Sequence, residues 1–141
     1  MQSVIKLVSI VSVFFLAACK KETTSTAPVN ETPIATAMAI DSGSFSNGPY
    51  GSVRGKTKLY KTGDKYELAL ENFSSSNGPD LKVYLSKEKQ PVNFINLGSL
   101  KSTTGNQLYA IPAPVNVNDY KYVLIHCQQY NHLFGFADFK P

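Results

Sequence analysis

Tyr66-Glu67-Leu68-Ala69-Leu70-Glu71 decides the fold of this chain. Tyr66, Leu68 and Leu70 alternate with Glu67, Ala69 and Glu71, which puts an apolar face and a polar face on one extended segment at period two. Leu81, Val83 and Leu85 alternate with Lys82, Tyr84 and Ser86 in the same way. Thr62-Gly63-Asp64 separates Lys56–Lys61 from Lys65–Phe73 and marks a hairpin. Asn77-Gly78-Pro79, Pro91, Gly98, Gly105 and Pro112-Ala113-Pro114 punctuate the rest of the chain, and further strands are predicted at Phe94–Leu97, Gln107–Ile111, Tyr120–Cys127 and Phe134–Phe139. No window carries an apolar stripe at helical spacing for three turns. The pattern predicts an all-β domain, a compact antiparallel β-sandwich or barrel of about 7–8 short strands. Ser46-Asn47-Gly48-Pro49 recurs as Ser76-Asn77-Gly78-Pro79, but the flanks differ, so two independent turns are expected rather than a repeat.

The domain is expected over residues 39–141. Upstream, Lys6 and the apolar run Leu7–Phe15 precede Leu16-Ala17-Ala18-Cys19. The run is far shorter than the roughly 20 residues a spanning helix needs, so residues 1–18 read as a secretory signal. Leu-Ala-Ala before a cysteine resembles the lipobox of bacterial lipoproteins. That resemblance implies that Cys19 carries a diacylglycerol and becomes the mature N-terminus, placing the chain in the bacterial cell envelope with the membrane as a partner through that lipid. Lys20-Lys21-Glu22 lacks an aspartate after Cys19, which fits outer-membrane sorting. Residues 19–38 then read as the lipidated end and a flexible tether. From Glu22 to Ala37 they are Thr, Ser, Pro, Ala, Asn and Glu with almost nothing large and apolar to offset ordering entropy.

The formal charge of +4 is spread over scattered lysines. A nucleic-acid footprint needs a basic cluster, and none is present. There is no Gly-x-Ser-x-Gly elbow, no glycine-rich phosphate loop and no pair of carboxylates in a plausible shared cleft; Glu67 and Glu71 read as solvated charges. No catalytic residue is assigned.

What remains is Cys127. With Cys19 carrying lipid it has no partner in its own chain, so it is a reactive group, half of an intermolecular bridge, or a buried inert side chain. Val123, Ile125 and Cys127 share one face of their strand and Tyr122, Leu124 and His126 the other, and both faces read as buried. His126 therefore points away from the Cys127 sulfur, whereas His132 could fold back over it. A cysteine followed by histidine resembles copper electron-transfer sites, but those take two imidazoles beside the thiolate, and this ligand set is incomplete. One cysteine and two histidines do not fill a closed zinc site either. No metal is assigned; His126 and His132 stand as auxiliary ligand candidates beside Cys127.

Asn77-Gly78-Pro79-Asp80-Leu81-Lys82-Val83-Tyr84-Leu85, Leu97-Gly98-Ser99-Leu100-Lys101 and Gly105-Asn106-Gln107-Leu108-Tyr109-Ala110-Ile111-Pro112 resemble the DM-thirteen domain, the small secreted domain that accompanies DOMON domains. Val123-Leu124-Ile125-His126-Cys127-Gln128-Gln129-Tyr130 with Phe134-Gly135-Phe136-Ala137 resembles that family's cysteine motif, and Gly43-Ser44-Phe45 and Gly55 its opening. The resemblance runs from about Asp41 to Phe139. It implies an all-β electron-transfer domain whose motif cysteine, here Cys127, acts as a bare thiol or as a ligand to a group such as haem, with a redox protein as partner. Many members place tryptophan before that cysteine; here the place is His126. Asp80, the motif acid, is expected to cap the next strand as an Asx turn. The competing expectation is a surface binding module that meets glycans or protein through Tyr50, Tyr60, Tyr84 and Tyr130, with Cys127 a structural core residue.

Overall fold

The structure, a computed structural model, describes residues 23–139. Residues 1–18, expected as a secretory signal, and Cys19 lie outside the described residues. The alternating stretches form the expected strands, and the described chain makes one sheet of nine: β1 (Val29–Asn30), β2 (Met38–Asn47), β3 (Val53–Thr62), β4 (Lys65–Ser75), β5 (Leu81–Ser86), β6 (Phe94–Ser99), β7 (Thr104–Ile111), β8 (Tyr122–Cys127) and β9 (His132–Asp138). Their order across the sheet is β1-β7-β4-β3-β2-β9-β8-β5-β6, and every pair is antiparallel except β1 with β7. The sheet curls on itself as a half-barrel, so its inner face closes over a single core containing Leu68, Leu70, Val83, Leu85, Val123 and Ile125.

β3 and β4 meet through the predicted turn. Thr62 pairs with Lys65, and Gly63 takes φ +57° at the first of the two loop residues, where a type II′ hairpin favours glycine. The curl is made by β2. Met38–Ser44 pair with β3 while Phe45–Asn47 pair with β9, so one strand serves both halves. Gly43 sits at this corner, where a Cβ would overlap the Asp138 carbonyl, and only glycine lets the two backbones approach.

Two expectations change here. The chain has nine strands rather than seven or eight, because β1 and β2 carry no clean alternation. Residues 23–37, expected as a flexible tether, instead run along the open edge of β7. Val29 and Asn30 pair with Gly105 and Asn106; Ser102 Oγ donates to the Ala27 carbonyl at 2.6 Å, and Thr103 N–H to Ser25 at 2.8 Å. The Glu31 carboxylate accepts from Lys101 Nζ at 2.7 Å and from the Leu108 N–H at 2.8 Å, and these two bonds hold its pKa below the usual carboxylate value. The physical reason is the edge itself. A sheet edge offers a row of unpaired N–H and C=O groups, and a polar segment with little to bury can still satisfy them.

Topology gives the half-barrel two ends. One holds the β3–β4 turn, Ile111–Val115 and the start of β2. The other holds the turns 47–52, 75–80 and 128–131, tied together by hydrogen bonds from Ser76 N–H to Ser52 O, Tyr50 N–H to Leu133 O and Gln128 N–H to Asp80 O. Cys127 is at this second end.

Candidate functional site at the Cys127 end

β8 lies between β5 and β9, so both its edges are paired, and both its faces are buried, as its apolar sequence predicts. Val123, Ile125 and Cys127 enter the main core, and Leu124 joins Tyr84 and Leu133 in a second cluster on the outer face. Cys127 is a free thiol, 1% exposed. It is nonetheless the last residue of the strand, and Gln128 to Asn131 beside it are exposed.

His126 takes the opposite face, as strand alternation requires, and is 3% exposed. Its Nε2 lies 2.9 Å from the Asn131 amide oxygen. Asn131 can reach it because it sits in the hairpin turn with φ +53°, a left-handed conformation that asparagine tolerates better than most residues. The amide oxygen can only accept, so Nε2 carries the proton, and Nδ1 is left as a bare lone pair with no hydrogen-bond partner. Burial pushes the His126 pKa down; the Asn131 bond opposes this and His132 adds to it. Burial thus favours the neutral form of His126, whose ring packs at 5.4 Å against that of Tyr84.

That neutrality has a measurable sign. A buried imidazole with a depressed pKa binds fewer protons in the folded than in the unfolded chain, so stability is complete above about pH 6.5 and falls as pH drops below it. The slope from one histidine is at most about 1.4 kcal/mol per pH unit. Urea unfolding of wild type against His126→Phe between pH 7.5 and 5 should show the wild type losing more stability on acidification. Parallel pH profiles would mean that His126 titrates freely.

His132 pairs with Cys127 across the hairpin, yet its ring stacks on Tyr50 with centroids 3.8 Å apart and planes 2° apart. Tyr130 adds a third ring at 5.9 Å from His132. Tyr50 and Tyr130 are half-exposed. Tyr84 is buried, and its ring stacks at 4.2 Å on Phe94, which is itself exposed. The end of the barrel therefore carries a surface group of rings, Tyr50, His132 and Tyr130, and a buried pair, His126 and Tyr84, with His132 near enough to help lower the His126 pKa.

Several sequence expectations are corrected by this geometry. Tyr84 is not an exposed contact residue; it is 2% exposed, because the outer face of β5 has its own cover. Tyr60 donates its hydroxyl to Glu71, which also pairs with Lys58. Asp80 makes no Asx cap. It pairs with Lys82 at 2.9 Å, while the local side-chain bond in that turn is made by Asn77, whose amide oxygen accepts from the adjacent Gly78 N–H. The two Ser-Asn-Gly-Pro segments are separate turns at the same end of the barrel.

The residues present do not fit haem. Cys127 is sealed in packed core, and none of the five main cavities is lined by Cys127, His126 or His132. The largest, about 630 Å³, lies between Tyr60, Tyr66 and Ile111–Val115 at the opposite end. Among the described residues no three His, Cys, Asp or Glu side chains gather as a metal site.

A family model described as Electron transfer DM13 matches residues 44–139, within the span of the sequence resemblance. A search of curated proteins found no match, and neither did a search of solved structures.

Proposed function

The chain belongs to the Electron transfer DM13 family, and from that premise we propose that it is a lipid-anchored bacterial envelope protein passing electrons to or from a redox partner, with Cys127 as its redox group. The observation that carries this reading is the placement of a free thiol on an interior strand, one residue from solvent, at the end of the domain that also holds the surface rings Tyr50, His132 and Tyr130 and the buried pair His126 and Tyr84. Burial selects among thiol chemistries. Disulfide exchange needs a thiolate that can reach another sulfur in line, and a 1% exposed side chain does not offer one. Electron transfer needs no such contact. A one-electron acceptor, such as an oxidised metal centre of a partner protein, would take one electron from the thiol, and the thiol proton would leave to water past the exposed 128–131 turn. The reverse step returns both.

The deciding variant is Cys127→Ala. Serine would bury a hydroxyl among apolar side chains at a cost of roughly 1–3 kcal/mol, whereas alanine leaves only a small cavity. Voltammetry of the lipidated chain on a lipid-coated electrode should give a current from wild type that Cys127→Ala loses while keeping its circular dichroism spectrum. An undiminished current in the variant ends the Cys127 reading. No current in either protein favours the second reading, a binding module, for which the half-exposed Tyr50 and Tyr130 flanking His132 are the specific support.

A further inference from the structure

We infer that the Cys127 end of the half-barrel faces the bilayer, with Tyr50 and Tyr130 at the level of the lipid headgroups. This rests on the lipid reading of Cys19 and extends it to the orientation of the domain. The argument begins where the described chain does. Thr24 donates from both N–H and Oγ1 to the Gly78 carbonyl, and Asn77 Nδ2 returns a bond to the Thr24 carbonyl at 3.1 Å. Ser25 is held by Thr103. Gly78 belongs to the turn that ends beside Asp80, whose carbonyl receives Gln128 N–H. The chain therefore joins the domain at the Cys127 end and only afterwards runs along β7 to the other end, where β2 begins.

Covalent geometry then sets the reach. Five residue steps separate Cys19 from Thr24, at most about 18 Å when fully extended. The opposite end, with the Gly63 turn, lies one strand away along β4 (Lys65–Ser75), roughly 30 Å or more. If the domain stood with that end on the membrane, Thr24 would be about 30 Å above the lipid, beyond the leash. With the Cys127 end down, Thr24 lies within that reach of the lipid. A long flexible tether would have allowed either pose; the docking of residues 24–31 removes that freedom.

The chemistry of the surface agrees with its position. Tyrosine combines an apolar ring with a polar hydroxyl and is favoured at membrane interfaces. Tyr50 and Tyr130 are 56% and 52% exposed at this end, flanking His132. Lys20 and Lys21 precede the docking point in sequence and suit anionic headgroups. An electron carrier in this pose would meet partners at the membrane surface rather than in free solution.

The test uses the lipidated full chain in vesicles of three parts phosphatidylethanolamine to one part phosphatidylglycerol. The sequence contains no tryptophan, so Tyr50→Trp, Tyr130→Trp and Asp64→Trp each give a single reporter. Nitroxide-headgroup lipid should quench Tyr50→Trp and Tyr130→Trp at least about threefold more than Asp64→Trp, which sits at the tip of the far hairpin. Equal quenching, or stronger quenching at Asp64→Trp, in protein that sediments with the vesicles overturns the orientation alone. Protein that stays in the supernatant and whose N-terminal peptide lacks the lipid mass overturns the reading of Cys19, and this inference with it.

Discussion

The Cys127 thiol is expected to react with a small alkylating reagent at least about a thousandfold more slowly in the native protein than in the unfolded chain. The measurement is best made with Cys19→Ser, so that one thiol remains. The expectation comes from where Cys127 sits. It is 1% exposed, in a strand hydrogen-bonded on both sides by β5 and β9, and the chain just beyond it is held by the Gln128 bond to Asp80. Reagent must wait for an opening that separates β8 from its neighbours, and for a central strand that approaches global unfolding. The ratio of rates then reports the unfolding equilibrium, which for a marginally stable domain is about 10³ or more. Native labelling within about tenfold of the unfolded rate would mean that fraying of the 128–131 turn is enough to expose the sulfur, and would restore disulfide exchange as a candidate chemistry. The same seclusion predicts no cross-linked dimer on a non-reducing gel.

The parts of the fold that were legible in the sequence are those in which one strand face meets the core. Leu68 with Leu70, Val83 with Leu85, and Val123 with Ile125 announce themselves by alternation because side-chain burial selects them. β2 was hidden for the complementary reason. Met38–Asn47 turns a corner between two halves of the sheet, and only one of its residues, Gly43, is fully buried, so no face had to be apolar. β1 and the docked segment were hidden more deeply, since backbone groups and small hydroxyls make the contacts and an entropy argument from composition omits the waiting edge of β7. At the site, the opposed faces of His126 and Cys127 followed from parity alone. What parity could not supply was the second layer over β5, which buries Tyr84, or the left-handed turn at Asn131 that fixes the tautomer of His126. One missed feature did have a signal: Gln107 shares its strand face with Tyr109 and Ile111, and a polar residue on a core face implies partners.

Those partners make Gln107→Leu the most destabilising single change expected here, lowering stability by about 3–5 kcal/mol. Gln107 is fully buried. Its Nε2 donates to the Ser102 carbonyl at 2.7 Å, while its Oε1 accepts from Ser102 N–H at 3.2 Å and from the Tyr109 hydroxyl at 2.7 Å. The Tyr109 hydroxyl in turn accepts from Lys101 N–H at 3.0 Å, and burial raises its pKa, so it remains a neutral donor. Leucine has nearly the same bulk but leaves three buried polar groups without partners, each costing roughly 1–3 kcal/mol. Urea unfolding should therefore show a much lower midpoint. Tyr109→Phe removes one of the three bonds to Gln107, so the double variant should be destabilised by about 1 kcal/mol less than the two single changes added together. Strict additivity would mean that the two side chains do not share a bond. The loss should also travel: Ser102 and Thr103, pinned from one side by this network, hold Ala27 and Ser25 on the other. In Gln107→Leu that loop loses its anchor, so residues 23–31 should be cut by protease well before the rest of the domain, and the short leash proposed to orient the Cys127 end should lengthen.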